Sequence, residues 1–268
     1  MASSSNRVSP NDMERNTGTF SSLYEKGKFI GAGICANVFE GIRRSDGQVV
    51  ASKHFSCDSV SKYMKIPGHD KLLLTEVAIN FLLHKPVKCP NIVQILDWFV
   101  EDGKHIVIME YPYPCKTLNE FLRSHQGRLK ETEARHIMRQ AVSTAKHCID
   151  HNIAHGDLHR GNVLITMDKL ELKLIDFGFS HLIPDTASEV RTKAVADMVK
   201  FLSNLLFLLT TGDERHSFHG PDLLDNPRLK AFGLSKECLD LMNRCRHLEA
   251  ADWPTLEDLL DHKWFKPH

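Results

Sequence analysis

The chain has 268 residues, enough for one large domain or two lobes sharing a cleft, and its 42% apolar content is sufficient for a full core. Lys plus Arg and Asp plus Glu both number 34, so the formal charge is zero and no broad basic surface for nucleic acid is implied. The seven cysteines are scattered without C-x-x-C spacing, which argues against a disulfide framework and reads as free thiols in a reducing compartment.

Residues 1–22 are rich in Ser, Asn and Thr with few large apolar groups, which predicts a flexible tail. Met1-Ala2-Ser3-Ser4-Ser5 shows no apolar run of a secretory signal, so a soluble cytosolic or nuclear protein is expected. From Tyr24 the pattern turns to alternating strands around Gly31-Ala32-Gly33-Ile34-Cys35-Ala36-Asn37-Val38. Two glycines between strands let backbone N–H groups approach phosphate oxygens that a Cβ would hold off. Val50-Ala51-Ser52-Lys53 then lays a single lysine after an apolar pair on the next strand. Leu72 to His84 reads as a helix, and its Glu76, among apolar neighbours, needs a cation, for which Lys53 is the natural partner. Asn80 stands four residues further on, where an unpartnered buried amide costs about 1–3 kcal/mol.

Two more β-rich runs, Asn91 to Phe99 and Ile106 to Tyr111, complete a five-stranded lobe. Pro112-Tyr113-Pro114 interrupts, and helices are predicted over Thr117–His125, Thr132–His151, Val195–Thr210, Lys236–His247 and Thr255–His262. The apolar segment from Phe201 to Leu209 is too short to span a bilayer, so no membrane association is expected.

Between the second and third of these helices lies the run that organises the chain, His155-Gly156-Asp157-Leu158-His159-Arg160-Gly161-Asn162, followed by Leu172-Lys173-Leu174-Ile175-Asp176-Phe177-Gly178. Phosphoryl transfer requires a carboxylate to orient the attacking hydroxyl, and an amide plus a second carboxylate to hold Mg2+ on the nucleotide phosphates. Asp157, Asn162 and Asp176 supply those three groups in that order. His155 and His159 are four apart, but Gly156 argues against a helix that would align them and no third ligand is close in sequence, so a structural metal site is not expected.

This ordered set resembles the catalytic core of the eukaryotic protein kinases. Gly41-Ile42-Arg43-Arg44-Ser45-Asp46, Ile95 to Phe99, Glu110-Tyr111-Pro112-Tyr113-Pro114 and Glu171 to Gly178 look like the PIM family of serine/threonine kinases. The resemblance implies an α+β, bilobal kinase-like fold over 23–266, with a small β-rich N-lobe (23–109), a hinge (110–116) and a larger α-helical C-lobe (117–266). It implies ATP and Mg2+ as cofactors, and a monomer acting on protein substrates. ATP would be held by Ile30, by residues Gly31 to Val38, by Ala51, Lys53 and Leu164, and by the backbone carbonyl of Glu110. Lys53 would contact the phosphates, Glu76 would position Lys53, Asp157 would act on the substrate hydroxyl, and Asn162 and Asp176 would bind the metal. Pro112 lacks the N–H that most kinases offer to adenine, a loss of about 0.5–1.5 kcal/mol.

The chain departs from the family in one region. Only 21 positions separate Asp176 from Asp197, the residue that looks like the helical aspartate anchoring the catalytic loop, and the A-P-E motif that ends this segment in relatives is absent. Gly156 replaces the arginine that answers a phosphorylated loop, and His159 replaces a lysine that partners the peptide-binding loop. Asp252-Trp253-Pro254-Thr255 replaces D-R-P-T, so both sides of a buried ion pair are gone together, a change that can be neutral. These features imply a constitutively active Ser/Thr kinase. The alternatives are a nucleotide-binding pseudokinase or scaffold, and a small-molecule phosphotransferase, whose H-G-D-L-H-x-G-N loop His155 to Asn162 also resembles.

Overall fold

The computed structural model describes residues 18–33, 36–57, 63–125, 127–186, 188–213, 223–245 and 254–266. Residues 1–17 of the expected tail, Ile34 and Cys35 of the glycine loop, and Asp252 and Trp253 lie outside the described residues. The chain divides into two units. One takes the residues up to Lys88 with Val93–Pro112 and Phe177–Ser180; the other takes Cys89–Ile92, Tyr113–Asp176 and the residues from His181 onward.

The first unit opens with a helical turn, α1 (Phe20–Leu23), capped by the Thr19 hydroxyl accepting from the Ser22 N–H. Composition assigns this stretch to the flexible tail, but Phe20 is buried against Tyr24, Val50, Phe99, Ile106 and Ile108, and its N–H donates to Glu101. One aromatic side chain outweighs its polar neighbours. Strands β1 (Tyr24–Ala32), β2 (Ala36–Arg43) and β3 (Val49–Ser56) follow, then the two-residue strands β4 (Tyr63–Met64) and β5 (Leu73–Leu74), helix α2 (Thr75–Leu83), and strands β6 (Ile95–Glu101) and β7 (Lys104–Glu110). The five long strands form an antiparallel sheet in the order β1-β2-β3-β7-β6.

The β6–β7 hairpin turns through Asp102 (φ 48°) and Gly103 (φ 70°), the two positive angles that match the strand twist. Along β7 the side chains alternate between two cores. Ile106 and Ile108 join Phe20 and Phe99 on one face, whereas Val107 packs with Leu73, Leu74, Val77 and Ala78 under α2. Helix α2 is shorter than its apolar pattern predicts, because Leu73 and Leu74 pair with Met64 and Tyr63 as strand β5 before the helix begins.

In the second unit, β8 (Cys115–Thr117) runs into α3 (Leu118–Ser124) through a capping box in which Thr117 and Glu120 satisfy each other's backbone N–H. Helix α4 (Glu131–Asp150) leads to β9 (Ile153–Ala154), β10 (Val163–Thr166), β11 (Leu172–Leu174) and β12 (His181–Leu182), then to α5 (Ser188–Thr211), α6 (Pro227–Lys230), α7 (Lys236–Cys245) and α8 (Leu256–Asp261). The strands make two small sheets, β11-β10-β8 and β12-β9. Glu131, at the start of α4, ties distant segments together: it accepts hydrogen bonds from Ser235 N–H and hydroxyl, from Trp264 Nε1 at 2.8 Å and from Arg135.

Helix α5 begins at Ser188, seven residues before the predicted start at Val195. Its first six residues, Ser188 to Lys193, are all exposed, so they carry no apolar period from which the helix could be read. Further along, Leu205 to Thr211 are buried without a break, the signature of a core helix enclosed on all sides. Its 24 residues are long and apolar enough by composition to cross a membrane, but 67% of the relevant stretch is buried within the protein.

Candidate active site

In the first unit, strand register sets the chemistry. Val38 on β2 faces Lys53 on β3, and Ala51 and Lys53 face Met109 and Val107 on β7. The central position of β3 leaves Ala51 5% exposed. The Lys53 ammonium reaches both carboxylate oxygens of Glu76, at 3.1 and 2.9 Å, with the two side chains only 13% and 7% exposed. The predicted pair is therefore formed, and its burial makes it a rigid, charge-assisted contact rather than a surface ion pair.

Gly33 donates its N–H to the Ala36 carbonyl at 2.8 Å, closing the loop between β1 and β2. Among the described residues, a Cβ added to Gly31 would meet nothing within 4 Å, and one on Gly33 only the Ala36 oxygen at 3.9 Å. Neither glycine has a positive φ. Since glycine weakens a strand by about 0.5–1 kcal/mol, and the chain's own packing does not require it here, the constraint fits something that approaches from outside the chain. Ile30 and Gly31 are half-buried, while Ala32, Gly33 and Asn37 are exposed; Ala36 and Val38 are half-buried on β2. Glu110 ends β7, where its N–H donates to the Gln94 carbonyl and its carboxylate accepts from the Gln94 N–H.

Asn80 escapes the cost that its sequence position suggests. Its amide is satisfied by backbone: Nδ2 donates to the Val93 carbonyl at 2.7 Å, and Oδ1 accepts from the Ile95 N–H at 2.9 Å. The residue is 4% exposed, so the desolvation of the amide is met by two bonds, the one to Val93 buried and the one to Ile95 partly so.

In the second unit, Asp157, Asn162 and Asp176 are drawn together by backbone and side-chain bonds. Asn162 is buried and its amide hydrogens go to Asp157, one to the carbonyl at 2.9 Å and one to the carboxylate at 3.2 Å. Both donors are thus used on Asp157, and Oδ1 is the atom Asn162 offers to a cation. The Ile175 N–H donates to the Asn162 carbonyl at 3.0 Å, which fixes the residue before Asp176 to the same loop. Asp176 itself has φ 63°, a left-handed backbone that costs a non-glycine residue about 1–2 kcal/mol and that concentrates at functional sites. Leu164, on β10, is half-buried opposite Lys173 and Thr117.

His155 supports this arrangement. Its ring is 1% exposed, Nε2 bonds the Ile175 carbonyl at 3.1 Å and Nδ1 accepts the Asp157 N–H at 3.3 Å, so the proton sits on Nε2. Burial pushes its pKa down to about 4, against the opposing pull of the Ile175 carbonyl and the Asp176 and Asp157 carboxylates. The sequence marks His155 only as half of a rejected metal pair; its place two residues before Asp157 is the available signal. His159 turns the other way, 53% exposed, with Nδ1 accepting the Gly161 N–H at 2.9 Å and Nε2 3.4 Å from Asp157 Oδ2. A Cβ on Gly161 would lie 2.8 Å from the His159 ring, so a larger residue there would displace that ring.

One departure from the family gains a structural reason, and one expected likeness is lost. Gly156 has φ 79°, so the loop turns through a conformation that an arginine at this position would strain. Asp197 does not anchor the loop: it is exposed, while Ala194, Met198, Val199 and Leu202 are the residues that α5 turns inward. The loop is held instead by the bonds of His155, Asn162 and Ile175.

These features are those of a phosphotransferase domain of the protein kinase type. The protein kinase domain family matches residues 24–204, two thirds of the chain, and the chain belongs to that family. Among curated relatives, it is similar to serine/threonine-protein kinase pim-2 of Danio rerio, 27% identical over 91% of this chain and 85% of that protein. It is also similar to serine/threonine-protein kinase prk-2 of Caenorhabditis elegans, 25% identical over 95% of this chain, and to serine/threonine-protein kinase ATG1c of Arabidopsis thaliana, 27% identical over 93%. It spans 61% and 36% of those two proteins. The chain is thus a PIM-like member of the family at low identity.

Proposed function

We propose that this chain is an ATP- and Mg2+-dependent protein kinase that phosphorylates serine and threonine hydroxyls without control by phosphorylation of its own activation segment. The observation that carries the reading is the buried, bidentate Lys53–Glu76 pair, which holds a phosphate-binding lysine in one place. The ligands fit the residues present: the open approach to Gly31 and Gly33 suits phosphates, and Asn162 Oδ1 with the Asp176 carboxylate suits a cation that reaches the site with the nucleotide. ATP supplies the phosphoryl group. Lys53 would neutralise the α- and β-phosphates, Asp157 would orient the hydroxyl and take its proton, and Ala51, Val38 and Leu164 would cover the base. Constitutive activity is supported by Gly156, whose backbone angle disfavours the basic side chain that answers a phosphorylated loop. We place the enzyme, as a monomer, in the cytosol or nucleus.

One feature favours a second reading, a small-molecule acceptor. His159 packs on Gly161 and beside Asp157 where protein kinases carry a lysine, and α5 takes up chain that would otherwise help to receive a peptide. Transfer from labelled ATP–Mg2+ to mixed peptides, with Asp157→Asn as the control, separates the readings. Peptide labelling that disappears in the variant supports the protein kinase. Labelling of small hydroxyl compounds alone supports the second reading, and ATP binding without transfer to either leaves a pseudokinase.

A further inference from the structure

Helix α2 carries Glu76, so whatever fixes α2 also fixes Lys53. The helix has no side-chain cap at its N-terminus, where Leu74 stands. Its polar anchors are Glu76 in the first turn and Asn80 four residues on, one turn apart on the same face. The Asn80 side-chain amide bonds to backbone rather than to another movable side chain. It bridges two backbone groups at the entry of β6, the Val93 carbonyl and the Ile95 N–H. That entry is irregular: the pairing of β6 with β7 shifts register between Ile95 and Asp97, so a side-chain amide serves where regular strand geometry breaks. Asn80 is 4% exposed, and Val77, Ile79 and Leu83 on the same helix and Val93 are buried as well.

We propose that Asn80 is a positioning residue that locks α2, and through Glu76 the Lys53 ammonium, in the paired setting without any activating input. This rests on the reading of Lys53 as the phosphate ligand and extends it to regulation. An outward swing of α2 would leave four polar groups without these partners at once: the two of the buried amide, the buried Val93 carbonyl and the half-buried Ile95 N–H. An apolar residue of the same shape, such as leucine, would carry no such penalty and would leave α2 free to move. The amide therefore ties α2 to the entry of β6 in the setting that pairs Glu76 with Lys53.

The test is hydrogen exchange of the full chain, read by mass spectrometry, for the unaltered protein, Asn80→Leu and Asn80→Asp. Aspartate keeps the acceptor for Ile95 and places a carboxylate oxygen against the Val93 carbonyl. In the unaltered protein, residues 75–83 should exchange as slowly as β7. In Asn80→Leu they should exchange about tenfold faster while β3 and β7 stay slow, with Asn80→Asp between the two. ATP titration should then show KM rising about tenfold with kcat at saturation nearly unchanged, because bound nucleotide restores the pair. Exchange in 75–83 unchanged in both variants would overturn the proposal, and so would acceleration spread evenly over the domain. If Asn80→Leu does not fold, Asn80→Asp alone decides on the same criteria. The exchange arm requires no phosphotransfer, so an inactive chain with a locked helix would count against the kinase reading and leave the role of Asn80 standing.

Discussion

At the scale of single residues, two interactions in the site should be measurable as stability. Lys53 and Glu76 are both largely buried, so removing one takes the ion-pair partner from a charge that solvent reaches poorly. Lys53→Met should cost about 3–5 kcal/mol in chemical denaturation, and the double variant Lys53→Met/Glu76→Gln should recover most of it. A double variant no more stable than the single would show that the stranded carboxylate is not what destabilises the chain. The same reasoning makes Lys53→Met a poor activity control unless its folding is checked first. Gly156→Arg, which would bring back the residue that relatives carry, should instead lower Tm by about 2–8 °C, since a side chain at φ 79° is strained. An unchanged Tm would mean that the loop can re-route at no cost.

At the scale of elements, α5 is the long helix whose start is least legible from pattern. A helix start is legible when apolar residues recur every three or four positions, and Ser188 to Lys193 have no buried side chain to mark the period. The rotation of α5 decides the fate of Asp197, which the family pattern assigns to the interior and the fold places in solvent. Asp197→Ala should change stability by no more than about 0.5 kcal/mol and leave catalysis intact, in contrast to a buried anchor. Urea titration and an activity assay of the variant check this together, and a large loss in either would restore the anchoring role. The strands are easier to read. Ile106 to Tyr111 is a run of β-branched and apolar residues between Gly103 and Pro112, and its strand pairs with the central strand of the sheet. Helix α2 loses its first residues to β5 because Leu73 and Leu74 are apolar in either conformation and only their pairing with Tyr63 and Met64 decides between them.

For the whole molecule, buried neutral histidines should set the acid limit of stability. Burial pushes His105 down to about 4, and His54 to about 4 through burial together with the nearby Lys26 and Lys104 charges. Such a group binds its proton more readily in the unfolded chain, at an ordinary pKa near 6.5. Stability is therefore complete above that value and falls as pH drops from about 6.5 towards 4. His105, 3% exposed and bonded to the Tyr63 hydroxyl, should account for a loss on the order of 2 kcal/mol at pH 5. Urea midpoints at pH 7 and pH 5 measure this loss, and His105→Gln should remove its share; an equal slope in the variant would assign the effect elsewhere.

Local pattern and motif order were enough for the family, the five-stranded lobe, the helical remainder and the candidacy of Lys53, Glu76, Asp157, Asn162 and Asp176. Those features rest on local period and on the order of motifs along the chain, which no folding step has to complete. Tertiary structure alone decided the roles of residues whose partners lie elsewhere in sequence. Asn80 is a liability until Val93 and Ile95 come within bonding distance. His155 is one histidine among sixteen until Ile175 closes over it, and Asp197 is an anchor until α5 takes its rotation from the residues it must bury. Whether a polar group is a cost or a clamp depends on what the fold sets against it, and that pairing is a property of the folded chain.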